Sequence, residues 1–180
     1  MQGRLFIFMT EIQKSLESYI TAEMDYWDFS GVVRIIQNGR ILSETCRGYS
    51  NIEFSIKNTM ETKFTVASVT KQFTAFAIMI LHDKGLLQLD EKANWYMHPN
   101  MQLPSEITIH HLLSHTSGLH NNYNFEDDFY VGEDRKPYDK EQFFRNWIIR
   151  EPIKKPGKEF EYNNSNYNLL AWIIEYVSGQ

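Results

Sequence analysis

The stretch Phe64-Thr-Val-Ala-Ser-Val-Thr-Lys-Gln-Phe-Thr-Ala75 decides how the rest of this chain is read. It sets Ser68 three positions before Lys71, at the entrance to a run that is apolar almost throughout from Phe73 to Leu81. On a helix, residues three apart share a face, so the Lys71 amine can approach the Ser68 hydroxyl without any long-range arrangement. A serine hydroxyl is a weak nucleophile until a base lies within hydrogen-bond reach. The pattern predicts a helix over Gln72 to about Leu81, apolar all round and therefore enclosed in a core. Such enclosure suits a lysine that acts as a base. With 12 Ser and 11 Lys in the chain, about one Ser-x-x-Lys arises by chance. The tetrapeptide needs its context.

Three further segments supply it: Gly85-Leu-Leu-Gln-Leu-Asp90, Ile109-His-His-Leu-Leu-Ser-His-Thr-Ser-Gly-Leu119, and Pro156-Gly-Lys-Glu-Phe-Glu-Tyr-Asn-Asn-Ser-Asn-Tyr-Asn-Leu-Leu170. In this order, with the Ser68 segment ahead of them, they resemble the serine β-lactamase and penicillin-binding-protein superfamily. The branch is the one that holds class C β-lactamases, D-Ala-D-Ala carboxypeptidases and related esterases. The second segment is similar to that branch's Leu-Leu-Ser-His-Thr-Ser-Gly-Leu signature, and the third to its Tyr-x-Asn motif. The resemblance runs from about Gly31 to Gln180.

The resemblance implies an α+β, β-lactamase/transpeptidase-like fold: an N-terminal helix and β-hairpin plus an all-helical lobe, with the C-terminal strands of the sheet missing from this chain. Residues 1–180 are then one partial domain. Residues 1–10 form an extension, 11–50 the helix and hairpin, and 60–180 the catalytic helix and helical lobe. The resemblance also implies roles. Ser68 attacks a carbonyl and is acylated, Lys71 serves as base or base partner, and Tyr162 relays a proton to the leaving group. Asn164 orients Lys71 and donates to a substrate amide. The substrate is a D-alanyl peptide, a β-lactam or a small ester, and no cofactor is called for. A third motif, Lys- or His-x-Gly, and the second oxyanion-hole donor belong beyond the Tyr-x-Asn segment. An oxyanion donor is worth roughly 10²–10³ in rate, so the four residues are expected to form a catalytic half-site. The missing strands would come from a complementary C-terminal chain or a homo-oligomer; alternatively the chain is a non-catalytic fragment or binding module.

Two positions depart from the family pattern. Asn163 stands where a serine is usual and keeps a polar side chain. Asn166 stands where a glycine is usual; if that position needs a left-handed backbone, asparagine is the best substitute.

Composition bounds the other possibilities. At 180 residues and 42% hydrophobic, the chain can build one ordinary core. A net charge of −5 with scattered lysines and arginines gives no electrostatic footprint for nucleic acid. The single cysteine, Cys46, allows no internal disulfide and reads as a buried structural thiol in a strand. No apolar run approaches the about 18 residues of a membrane span. The opening Met1-Gln-Gly-Arg-Leu-Phe-Ile-Phe-Met9 has an apolar part shorter than the ~7 residues of a signal-peptide core. It is the stub of an export signal or an upstream extension before a start at Met9. As written the chain reads as cytoplasmic, while the resemblance allows the cell envelope or secretion.

His111 and His115 are four apart, with His110 and His120 near, so a metal site can be imagined. The zinc-protease pattern needs a Glu directly after the first His, and Leu112 stands there; no metal is expected. Glu11 to about Asp25 carries Ile12, Leu16, Tyr19 and Ile20 at the spacing of an amphipathic helix. Ser30 to Cys46 reads as a hairpin around Asn38-Gly39. Gly85 is placed to end a helix, Asp90 and Thr108 to begin ones, and Leu169 to Val177 to form a last helix ending at Ser178-Gly179. Asn121 to Tyr138 reads as a long loop. Its aromatic residues Tyr123, Phe125, Phe129, Tyr130 and Tyr138 either line a cleft or pack the loop. Its acidic Glu126-Asp127-Asp128 leaves the charge of the substrate open.

Overall fold

The computed structural model describes residues 2–121, 139–149 and 154–180, with side chains described from Glu11 onward except at 146 and 147. The proposed cleft aromatics at 123–138 and the acidic run at 126–128 lie outside the described residues. The chain divides into two compact units, Met1–Thr65 and Val66–Gln180.

In the first unit, α1 spans Gln2–Tyr26, longer than the periodicity from Glu11 predicts. Ile20 and Met24 are buried, whereas Tyr19 is exposed. The Tyr19 hydroxyl is satisfied by water at no cost, so the stripe shifts onto the aliphatic pair. Strands β1 (Gly31–Gln37) and β2 (Arg40–Arg47) form the expected antiparallel hairpin. Asn38 and Gly39 adopt φ of 51° and 75°, the two left-handed residues that a tight hairpin turn demands. Cys46 faces Val32 across the ladder and is half-buried rather than buried. Two strands foreseen by no sequence signal, β3 (Tyr49–Asn51) and β4 (Ile56–Lys57), pair beside this hairpin as a separate short ladder. Asn58 ties them down: its amide donates to the Arg47 carbonyl at 2.7 Å.

The second unit is helical. A 3-10 turn, Ala67–Val69, leads into α2, Thr70–Asp83. A second 3-10 turn spans Ala93–Tyr96, followed by α3, Ile109–Leu113. Next come α4, Lys140–Phe143, running into a π-helical turn, Phe144–Ile148, and finally α5, Asn164–Ser178. The core gathers Ile78 and Leu81 of α2, Leu112 of α3, and Leu169, Leu170 and Ile173 of α5. Among the described residues no helix is long and apolar enough to cross a membrane.

Helix boundaries follow local chemistry. Thr108 caps α3 in a capping box with His111, and α5 ends at Gly179 with a left-handed φ of 71°. Gly85 closes α2, its N–H donating to the His82 carbonyl at 2.8 Å. Asp90 begins no helix. It sits in a turn, and the following 3-10 turn is preceded by Lys92 without a side-chain cap. For α4 the missed signal is Asp139, whose carboxylate accepts from Gln142 N at 2.7 Å, an N-cap with Gln at the third helical position.

The expectation for α2 is corrected in one respect. Only Ile78 and Leu81 of this helix are buried, while Phe73 and Phe76 are 64% and 67% exposed. Its own unit packs one face of it, against α5, and leaves the Phe73/Phe76 face bare.

The connection that orders the second unit pairs residues 115–118 with 154–161. Lys154 N donates to Gly118 O at 2.9 Å, Gly157 N to Thr116 O at 2.8 Å, and Glu161 N to His115 O at 2.8 Å. Gly118 holds φ of +72°, and a Cβ there would stand 2.2 Å from the Lys154 carbonyl oxygen. Both the conformation and the close approach require glycine. Gly118→Ala is expected to cost about 2 kcal/mol or more, from left-handed strain plus a backbone collision. A urea melt followed by far-UV circular dichroism measures it, and an unchanged midpoint would contradict this account.

Candidate active site

Ser68 does not lie on α2 itself. It occupies the middle of the 3-10 turn Ala67–Val69. A three-residue repeat eclipses positions i and i+3, so the predicted approach survives the change of helix type. Lys71 Nζ donates to Ser68 Oγ at 3.3 Å. Ala67, directly before the serine, has φ of 43°, a left-handed conformation that costs an ordinary residue about 1–2 kcal/mol. Such strain persists only where the surroundings over-determine it. Ser68 is exposed and Lys71 half-buried, so the enclosure expected around this pair is absent from the second unit.

Tyr162 and Asn164 arrive from far along the chain. Asn163 between them is the N-cap of α5, its Oδ1 accepting from Asn166 N at 3.3 Å. Its Nδ2 donates to the Leu119 carbonyl at 2.9 Å. This cap fixes the first residue of the helix, Asn164, whose Oδ1 accepts from Lys71 Nζ at 2.7 Å. It also fixes the residue just outside the helix: the Tyr162 hydroxyl donates to Ser68 Oγ at 2.8 Å. Asn121 holds the backbone there, its amide donating to the Tyr162 carbonyl at 3.1 Å. All four residues singled out in the sequence therefore meet in one hydrogen-bonded chain, Tyr162–Ser68–Lys71–Asn164.

Asn166, at the usual glycine position, lies within the first turn of α5 and has no left-handed φ. The need for asparagine there is not conformational. Its buried Oδ1 accepts from Ser117 Oγ at 2.8 Å, and Ser117 Oγ in turn accepts from Leu119 N at 3.2 Å. Asn163 and Asn166 together bind the Ser117–Leu119 turn to the start of α5.

Electrostatics centre on one ammonium group. Lys71 Nζ lies 4.9 Å from the Tyr162 ring centroid and 5.5 Å from that of Tyr167, within cation–π range. Hydrogen bonding to Lys71, and then to Ser68, holds the Tyr162 phenol below the ordinary tyrosine value. Burial raises that of Tyr167, whose hydroxyl donates to the Leu113 carbonyl at 3.1 Å.

The histidines take structural posts. His111 is committed to the α3 capping box, its Nδ1 accepting from Thr108 N at 3.3 Å. Among the described residues no group of three or more His, Cys, Asp or Glu side chains is arranged to hold a metal ion. His115, for which the sequence suggests no role beside Tyr162, lies against the Tyr162 ring with centroids 4.7 Å apart. The sequence signal for it is its place immediately before Thr-Ser-Gly, where the chain reverses.

A hydroxyl between an ammonium and a phenol of lowered pKa can lose its proton to that phenol once it has ionised. That is the chemistry of nucleophile activation. The chain as a whole is similar to known proteins. Protein flp of Staphylococcus aureus (strain COL) is 31% identical over 173 residues, covering 93% of this chain and 34% of its own length. The structure of the penicillin-binding protein from Bacillus halodurans superposes with a TM-score of 0.74 at 32% identity, over 87% of this chain and 49% of that one. The octameric penicillin-binding protein homologue from Pyrococcus abyssi gives 0.69 at 33% identity, over 92% and 39%. This chain spans about a third of the length of the curated relative. The Beta-lactamase family model matches residues 16–180, a span that holds Ser68, Lys71, Tyr162 and Asn164, and the chain belongs to that family.

Proposed function

We propose that this chain carries the acylation half of a serine hydrolase, in which Ser68 opens an amide or ester carbonyl. The carrying observation is the hydrogen-bonded chain Tyr162–Ser68–Lys71–Asn164. With the Tyr162 phenol ionised beside the Lys71 ammonium, Ser68 Oγ attacks the carbonyl carbon as its proton passes to the phenolate. The contact between the two hydroxyls reverses direction once the phenol is ionised, so Tyr162 then accepts from Ser68. The proton goes on to the leaving nitrogen or oxygen as its bond to the carbonyl breaks, and water later releases the acyl group. Asn164 keeps Lys71 aimed at Ser68. The substrate classes that fit are a D-alanyl peptide, a β-lactam or a small ester, and the penicillin-binding relatives support the β-lactam. We read residues 1–180 as part of a single β-lactamase-related domain.

A second reading rests on the bare face of α2. Phe73 and Phe76, with Val69 and Ile80 also exposed, form an apolar stripe of the kind that marks an interaction surface. In that reading the chain acts only with a complementary C-terminal half or with further copies of itself. The octameric homologue is a precedent for assembly.

Intact mass after incubation with a penicillin separates the two. One covalent adduct on the wild-type chain and none on Ser68→Ala supports acylation by this chain. A folded chain that takes up no adduct removes the first reading in favour of the second. Where the adduct forms, its pH dependence tests Tyr162. The phenol ionises below the usual value of about 10, so the acylation rate is expected to climb with pH through that lowered value and then level off. Tyr162→Phe should abolish the climb and slow acylation by about 10²–10⁴. An identical pH profile in the variant would remove Tyr162 from proton transfer.

A further inference from the structure

We propose that His115 is the positioning residue that seats the Tyr162 hydroxyl on Ser68, and that it does so as the neutral imidazole protonated at Nε2. The proposal deepens the reading of Ser68 and Tyr162 given above and rests on it.

Tyr162 is gripped through the peptide groups on either side of it. The Glu161 N–H, just before it, donates to the His115 carbonyl at 2.8 Å. The Asn163 N–H, just after it, donates to His115 Nδ1 at 3.0 Å. One residue thus accepts both flanking backbone donors, one with its main chain and one with its ring. The ring then lies along the Tyr162 ring, 4.7 Å between centroids and tilted by 34°. It lies equally along Tyr167, at 5.1 Å and 32°, with Phe160 edge-on at 5.8 Å. These contacts leave Tyr162 little freedom to swing away from Ser68.

The backbone of His115 is part of the device. Its φ is 57°, in the left-handed region where asparagine, aspartate and histidine are enriched among non-glycine residues. That conformation turns its carbonyl and its ring toward the same neighbouring strand of chain, which a right-handed residue would not do.

The tautomer follows from the hydrogen bond. Nδ1 accepts a backbone N–H, so the ring proton sits on Nε2. The titratable groups facing the ring are Lys71 from α2, Tyr162 from the segment before α5, and Tyr167 from α5. Burial, and then the Lys71 charge, push the His115 value below the ordinary one, which keeps the imidazole neutral at pH 7. Protonation would turn Nδ1 into a donor facing the Asn163 donor and set a second cation beside Lys71. The sign is that of a depressed group. His115 contributes its full stabilisation above about pH 6.5, and loses it as pH falls through the lowered value.

The test uses the 180-residue chain with ¹³Cζ-labelled tyrosine and ¹⁵N-labelled histidine, the Tyr162 signal being assigned by its loss in Tyr162→Phe. In the wild type, Nδ1 should show the shift of an unprotonated acceptor at pH 7, and the phenol should titrate below about 10. In His115→Phe, which keeps a ring and lacks the acceptor, the phenol should titrate back toward that ordinary value. In His115→Asn the side-chain oxygen stands where Nδ1 stood and the residue tolerates the left-handed backbone, so the lowered titration should be retained. An acid-side shift of the Tyr162 signal, expected in the wild type as His115 takes up its proton, should vanish in this variant. A wild-type ring protonated at Nδ1 overturns the proposal, and so does a folded His115→Phe whose Tyr162 titrates like the wild type. The ¹⁵N reading needs no variant, so failure of His115→Phe to fold leaves the proposal testable. Neither reading needs acylation. A chain that never takes up penicillin defeats the reading of Ser68 alone, and an acylated chain with an indifferent Tyr162 defeats the role of His115 alone.

Discussion

The site exists because two backbone segments, 115–118 and 154–161, hydrogen-bond to one another. Asn164 reaches Lys71 across 93 residues of chain, and Tyr162 reaches Ser68 across 94. Side chains alone hold such a closure poorly, since each exposed polar contact returns only about 0.5–1.5 kcal/mol net. The rungs from Lys154, Gly157 and Glu161 to Gly118, Thr116 and His115 fix the approach of the backbone first. Only then do single-ångström distances at Ser68 become possible. Gly118 is the tightest point of that ladder, where the two backbones touch with no room for a methyl group.

A second lock closes behind the first. Asn163 and Asn166 replace the serine and glycine usual at these positions, and both are almost fully buried. Burying two amides is costly unless they are paired. Asn163 meets that condition, capping α5 with its oxygen and holding Leu119 with its nitrogen, while Asn166 accepts from Ser117 and leaves its Nδ2 without a partner among the described residues. The two substitutions therefore act as a pair on one turn, Ser117 to Leu119. Read separately, one looked neutral and the other looked like a substitute for a glycine conformation. Their shared partner is visible only once the turn and the helix are folded together.

The same distinction governs what was legible in the sequence. Signals that depend on one residue and its immediate neighbours were readable: the Asn38-Gly39 turn, the Thr108 cap, the Gly179 end of α5. So was the set Ser68, Lys71, Tyr162 and Asn164, because each sits in a motif that resembles a family pattern. What escaped depends on which face of an element finds a partner. Ser68 falls on a 3-10 turn whose first residue, Ala67, takes a left-handed φ that no composition rule assigns to alanine. Phe73 and Phe76 look like core residues, yet α2 packs within its unit only along Ile78 and Leu81. Asp90 has the right chemistry for a cap and no helix follows it. His115 was hidden by its neighbours, since four histidines within 11 positions draw attention to metals before they suggest a clamp.

One charge organises the titratable groups at the site. The Lys71 ammonium is bonded to Ser68 and Asn164 and faces the rings of Tyr162 and Tyr167. A fixed cation favours loss of a proton from every neutral acid or protonated base near it. It acts on Tyr162, through hydrogen bonding, by easing formation of the phenolate. On His115 it adds to burial and disfavours the imidazolium. Both effects have the same sign and opposite uses. At Tyr162 the result is a phenol that ionises more readily and, once ionised, accepts from Ser68. At His115 it is a ring that stays neutral and goes on accepting the Asn163 N–H. The same lysine thus acts on the phenol that faces the nucleophile and, second to burial, on the imidazole that holds that phenol. The sequence spacing of Ser68 and Lys71 is then only the visible half of the role of Lys71, the other half being spent on two residues that lie 44 and 91 positions further along the chain.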